Sequence, residues 1–187
     1  MKKLLSRFIV YDLIIIALIS AVSIAIKPIM IILSEVITQS FFPAGVISGV
    51  IYMIWIVLPC LITKKRGTSI LVGIIQGALI VVFGMVGNRG IFNIPVYIIP
   101  CIILEIVMLT NKNYISGNIS CFAAGGIANM TGAFIIGFFF LNLYFIPLLF
   151  SIFTAFISGG IGGLIACRLY KAVFNFGRDQ VNSSETT

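Results

Sequence analysis

The sequence predicts an all-α integral membrane protein with six transmembrane helices and both termini in the cytoplasm. Three observations carry that prediction. First, 60% of the 187 residues are hydrophobic and 9% are charged, with a mean hydropathy of +1.21. A water-facing domain carries roughly 25% charged residues. Second, apolar runs of about 20 residues, enough to cross a hydrocarbon core of about 30 Å, recur along the chain. None shows the strict alternation that a membrane β-barrel needs over roughly 10-residue segments. Third, the basic residues fall on one side. With the N-terminus inside, Lys2, Lys3, Arg7, Lys64, Lys65, Arg66, Lys112, Arg168, Lys171 and Arg178 are cytoplasmic, ten of the twelve Lys and Arg. Only Lys27 and Arg89 lie toward the far side, as the positive-inside rule requires. The net charge of +7 is thus a topology signal with some attraction to anionic lipid, and no soluble basic surface supports nucleic-acid binding.

The first helix is expected over Phe8–Leu33. A secretory signal has an apolar core of about 7–15 residues, so this longer segment is expected to stay in the protein. Ala17, Ala21 and Ala25 recur every four residues. Such a set drifts only about 40° per step around a helix, so the three methyl groups form one shallow, smooth face. In lipid, helices associate where small residues let backbones approach. The remaining helices are expected at Val46–Thr63, Thr68–Val86, Phe92–Leu109, Asn118–Leu141 and Phe145–Tyr170. Together they form a single domain, residues 1–177, with a polar, Ser/Thr-rich tail over 178–187 expected to be disordered. Short connections join them, apart from Thr110–Gly117 and the mixed-polarity loop Ser34–Gly45. A loop of that size is either a lid or an interfacial segment resting among headgroups. Gly73 and Gly77, Gly125, Gly126 and Gly132, and the run Gly159, Gly160, Gly162, Gly163 are expected mainly as close contacts inside the bundle.

Little catalytic chemistry is available. The chain has no histidine, the commonest general base and metal ligand. Its five acidic residues are Asp12, Glu35, Glu105, Asp179 and Glu185, two of them in the tail. No paired acids exist to hold a divalent metal, and no Ser–His or Cys–His pair is possible. Cys60, Cys101, Cys121 and Cys167 lack a C-x-x-C spacing and serve most simply as small hydrophobes. No enzyme, no metal site and no cofactor of its own are expected.

A binding site is easier to assemble. Lys27, Glu35, Gln39, Asn88, Arg89, Asn93 and Asn142 lie on the outer half, Gln76 and Asn129 near mid-membrane, and Tyr52, Trp55 and Tyr97 on the second and fourth helices. Aromatic rings that stack and amides that read polar edges suit a small heterocycle. Each residue has a structural alternative. The three rings can be packing or belt residues, Gln76 and Asn129 can bond helix to helix, and Lys27, one residue before Pro28, can snorkel outward. A buried Glu105 must find a partner, with Lys112 or another protein as candidates.

Six helices, both ends inside, 20.3 kDa, no catalytic set and the Ala17-x3-Ala21-x3-Ala25 face together resemble the substrate-binding S components of energy-coupling-factor (ECF) vitamin transporters. The resemblance spans the whole chain in layout. It implies that the alanine face docks on a transmembrane coupling subunit and that Ser34–Gly45 is a lid. It further implies that two cytoplasmic ATPases supply ATP-driven power and that the S component topples in the plasma membrane to release its cargo. Gly49 to Trp55, Lys64-Lys65-Arg66-Gly67 and the Gln76 to Gly84 stretch are similar to members assigned to thiamine or its hydroxymethylpyrimidine precursor. This chain departs from them in offering Gly73, Gln76 and Ile80, rather than acids, on the third helix. Two other functions remain open from the residues alone: a small membrane enzyme of lipid or isoprenoid metabolism, and a self-sufficient channel or exporter assembled through glycine faces.

Overall fold

The computed structural model describes residues 8–38, 45–84, 94–110 and 117–185. Among them the chain forms six α-helices and a π-turn, with no strand. The helices are α1 (Val10–Thr38), α2 (Gly45–Thr63), α3 (Thr68–Val82), α4 (Ile94–Leu109), α5 (Asn118–Ile135) and α6 (Phe145–Glu185). The π-turn, Ile136–Phe140, continues α5.

Every predicted segment is a helix, but the lengths differ. Val10–Met30, Asn118–Phe140 and Phe145–Phe174 supply spans of 21, 23 and 30 residues. The other three are shorter; the 15 residues of α3 reach only about 22 Å. The reason lies at its end. Gly84 adopts a left-handed φ of 64°, and the Phe83 and Gly84 N–H groups turn back to Leu79 and Val81, which closes the helix ahead of the expected Val86. Helix α4 is described from Ile94, and its expected start at Phe92 lies outside the described residues. Helix α6 overruns its expected end at Tyr170 and takes in most of the stretch expected as a disordered tail. No proline follows Pro147 to stop it, and Tyr170 stacks on Phe174 one turn later, 5.9 Å between centroids.

Helix α6 is the hub of the bundle, and glycine makes it so. Its Gly159 and Gly163 lie against the backbone of α5 at Gly125 and Cys121, while Gly162 lies against the Val50 carbonyl of α2. No Cβ fits at any of the three. On the other side of the bundle, Gly73 of α3 meets Cys101 and the Tyr97 carbonyl of α4. Around these crossings Met53, Ile56, Val57, Leu104, Met108 and the four cysteines form one core, with all four thiols free. The expected role of the glycines and cysteines as internal packing residues is what the structure displays.

Polar contacts fasten the end of the bundle that carries Lys64, Lys65 and Arg66. Asp12 of α1 pairs with Lys65 in the α2–α3 turn. Glu105 of α4 accepts a hydrogen bond from the Gly67 N–H at 2.7 Å, satisfying a donor at the start of α3. Glu105 thus has a backbone partner at Gly67, and Lys112 lies outside the described residues.

Candidate functional site

At the half of the bundle away from that basic turn, α1, α2, α4, α5 and the start of α6 enclose a cavity of about 850 Å³. That volume lies in the range of small-molecule sites. The cavity begins with α1, whose inward face presents Ser23 and Lys27 one turn apart. The Lys27 ammonium sits 4.1 Å from the Tyr97 ring centroid, a cation–π distance. Tyr97 in turn meets Tyr52 of α2 edge-on, at 6.2 Å and 81°. The Tyr52 hydroxyl donates to Gln76 Oε1 at 3.1 Å, and Gln76 Nε2 donates to Ser23 Oγ at 3.1 Å. A single chain of contacts thus runs through α1, α4, α2 and α3 and fixes one wall.

The opposite wall is built by α5 and α6. Asn129 Nδ2 donates to the Ala155 carbonyl at 2.8 Å and to Ser158 Oγ at 3.1 Å. The amide packs against Gly49 of α2, where even a methyl group would strike it. Trp55 contributes its indole to the lining, and Pro100 lies on the α4 side. The rim is apolar. Ile136, Gly137, Leu141, Leu143 and Pro147, from the π-turn and the hairpin into α6, surround it.

Of the residues singled out from the sequence, Lys27, Tyr52, Trp55, Tyr97 and Asn129 converge on this one cavity. Gln76 is fully buried and stands behind the wall, holding Tyr52 and Ser23. Asn142 is not on the wall; it is exposed in the hairpin at a left-handed φ of 48°, a conformation asparagine tolerates better than most residues. Glu35 falls in the last turns of α1, where only the backbone is described. Gln39, Asn88, Arg89 and Asn93 lie outside the described residues, as does half of the expected lid, residues 39–44. Sequence reasoning missed Ser23, Ser151 and the apolar rim. Ser23 had a signal, being one turn before Lys27 on the same face; the rim residues had none, because aliphatic side chains do not stand out in an aliphatic chain.

Ala17, Ala21 and Ala25 are all exposed on α1, flanked by exposed Ile14, Leu18, Val22 and Ile29. No helix of this chain covers that face among the described residues.

Comparison with known proteins adds the family. Among curated proteins, none matches this chain. The crystal structure of an S-component of an ECF transporter matches with a TM-score of 0.76 at 19% identity, covering 96% of this chain and 98% of that one. A family model described as the permease component of an ABC-type cobalt transport system matches residues 11–132, from α1 into α5 and more than half of the 187 residues. A multi-pass membrane protein with the S-component fold, the chain belongs to that permease-component family, whose members are transporter parts and not enzymes.

Proposed function

We propose that this chain is the substrate-capture subunit of an ECF-type, ATP-driven importer in the plasma membrane. The observation that carries the reading is the cavity. It is an aromatic and amide-lined chamber with Lys27 as its cation among the described residues, in an S-component fold, at the end of the bundle opposite the basic turn. With Lys64, Lys65 and Arg66 inside, the chamber opens outward, where an importer collects cargo. Its ligand is a small vitamin or vitamin precursor. The neutral hydroxymethylpyrimidine suits the chamber better than thiamine itself, whose cationic thiazolium meets Lys27 instead of a carboxylate.

The family's description mentions cobalt, and a bare cobalt ion is the competing cargo. The donor set argues against it. The chain has no histidine, and among the described residues no group of three His, Cys, Asp or Glu can hold a metal. An organic cargo fits the rings and amides instead.

In this reading the chain spends no ATP. Two ATPase subunits act through a transmembrane coupling subunit, which docks on Ala17, Ala21 and Ala25. The uncovered, smooth face of α1 supports that role. The test replaces Ala21 with Trp and purifies the chain together with the coupling and ATPase subunits. The variant is expected to retain its thermal stability and its binding of hydroxymethylpyrimidine, yet to lose co-purification and uptake. Normal assembly by Ala21→Trp overturns the docking role.

A further inference from the structure

Asn129 holds an asymmetric position on the cavity wall. The Ala155 carbonyl can only accept a hydrogen bond, so the amide atom 2.8 Å from it must be the nitrogen. That nitrogen also reaches Ser158 Oγ at 3.1 Å, so both of its hydrogens are committed. Gly49 packs on the same side of the amide, and a flip would set Oδ1 against the Ala155 carbonyl oxygen. The remaining atom is Oδ1, a pure acceptor. Among the described residues, the single buried side-chain oxygen or nitrogen without a partner is Ser20 Oγ. Asn129 Oδ1 has no partner of its own there, so it is not sealed in protein; it reaches the open space that Asn129 lines.

A second feature points the same way. Pro100 lies on the wall inside α4 and has no N–H to give the Val96 carbonyl one turn earlier. Val96 lines the cavity as well. The Val96 carbonyl is thus left without its usual helical N–H partner, while Lys27 supplies donors near the Tyr97 ring.

We propose that Asn129 determines specificity by accepting, through Oδ1, a hydrogen bond from an exocyclic amino group on a flat heterocyclic ligand. A ring presenting a carbonyl at that position would set oxygen against oxygen, with the amide unable to flip in response. The inference rests on this cavity being the ligand site of a capture subunit, and it adds which polar edge the ligand presents.

The chain carries its own reporter, since its one tryptophan, Trp55, lies on the cavity wall. Full-length protein in detergent is titrated with 4-amino-5-hydroxymethyl-2-methylpyrimidine and with its 4-oxo counterpart, following Trp55 fluorescence. The amino compound is expected to bind at least roughly tenfold more tightly, because the oxo compound leaves Oδ1 desolvated and unpaired. Asn129→Leu is expected to bring the two affinities within about threefold of each other, by removing the acceptor that distinguishes them. If that variant fails to elute as a folded monomer, Ser158→Ala serves. It releases one amide hydrogen and is expected to shrink the preference without abolishing binding. Trp55→Phe, followed by calorimetry, is expected to weaken both ligands and leave their ratio intact. Equal or tighter binding of the oxo compound overturns the proposal, as does a preference that survives Asn129→Leu or is undiminished in Ser158→Ala. Failure of both compounds to bind also overturns it, yet leaves the capture-subunit reading standing, because co-purification with the coupling subunit judges that without a ligand.

Discussion

Gln76 shows how much a single side chain can hold in a bundle with few polar groups. Fully buried, it accepts from Tyr52 and donates to Ser23, both of which face the cavity. Gln76→Leu keeps the volume but strands two hydroxyls. The expected loss is about 1–3 kcal/mol of stability, read as a lower unfolding temperature in detergent, together with weaker ligand binding because Tyr52 loses its orientation. An unchanged melting curve would mean that water replaces the amide. Ser20 is the converse case. Its hydroxyl is buried without a partner among the described residues, so Ser20→Ala is expected to leave stability unchanged or raise it by up to about 1 kcal/mol; a marked fall in the same assay would reveal a use for that oxygen. The sequence makes residues of this kind visible and their duties ambiguous. Lys27, Tyr52, Trp55, Tyr97 and Asn129 stand out from an aliphatic background, and they do meet at one cavity. Gln76 stands out equally and lies one layer behind it. Composition flags a polar group; only the packing of four helices says which way it faces.

Among the elements, α5 and α6 make the tightest pair. A Cβ at Gly163 would fall 2.9 Å from the Cys121 carbonyl carbon and closer still to its oxygen. That obstacle is backbone and cannot rotate away. Gly163→Val is therefore expected to cost at least about 3 kcal/mol and to yield little monodisperse protein in size-exclusion chromatography. Gly117→Ala, where a Cβ meets nothing within 4 Å, is the matched control and should elute as wild type. Six helices were legible from apolar runs because lipid demands such runs. Their ends were less so, since hydropathy does not register a left-handed Gly84. The π-turn was invisible: Ile136 to Phe140 are as apolar in one helical register as in another. The overrun of α6 was missed because polar, Ser/Thr-rich composition argues for disorder, whereas a helix already started needs only one more hydrogen bond per residue to continue.

For the whole molecule, the glycines bear on whether the chain could act alone. A self-sufficient channel built by oligomerisation would need small-residue faces left over for neighbouring copies. Gly125, Gly126, Gly159, Gly160, Gly162 and Gly163 all have close neighbours within this one chain. Liposomes containing only this protein are accordingly expected to show no ion leak above empty vesicles; a reproducible conductance would favour the channel reading. The small-residue face that stays uncovered among the described residues is the alanine face of α1, on the far side of the same helix that carries Lys27. The π-turn has a consequence at this scale too. Its Leu141 N–H reaches back to Ile136, and Leu143 to Gly137, so the last turn of the helix widens by one residue before the chain leaves it for the hairpin. Below the turn, α5 is locked to its neighbour by a crossing that tolerates no added atoms. Above it, Leu141, Leu143 and Pro147 can change bulk without disturbing that lock. A descendant of this protein can therefore reshape the mouth around its cargo by rewriting the upper storey alone, while Asn129 and the foundations stay unaltered.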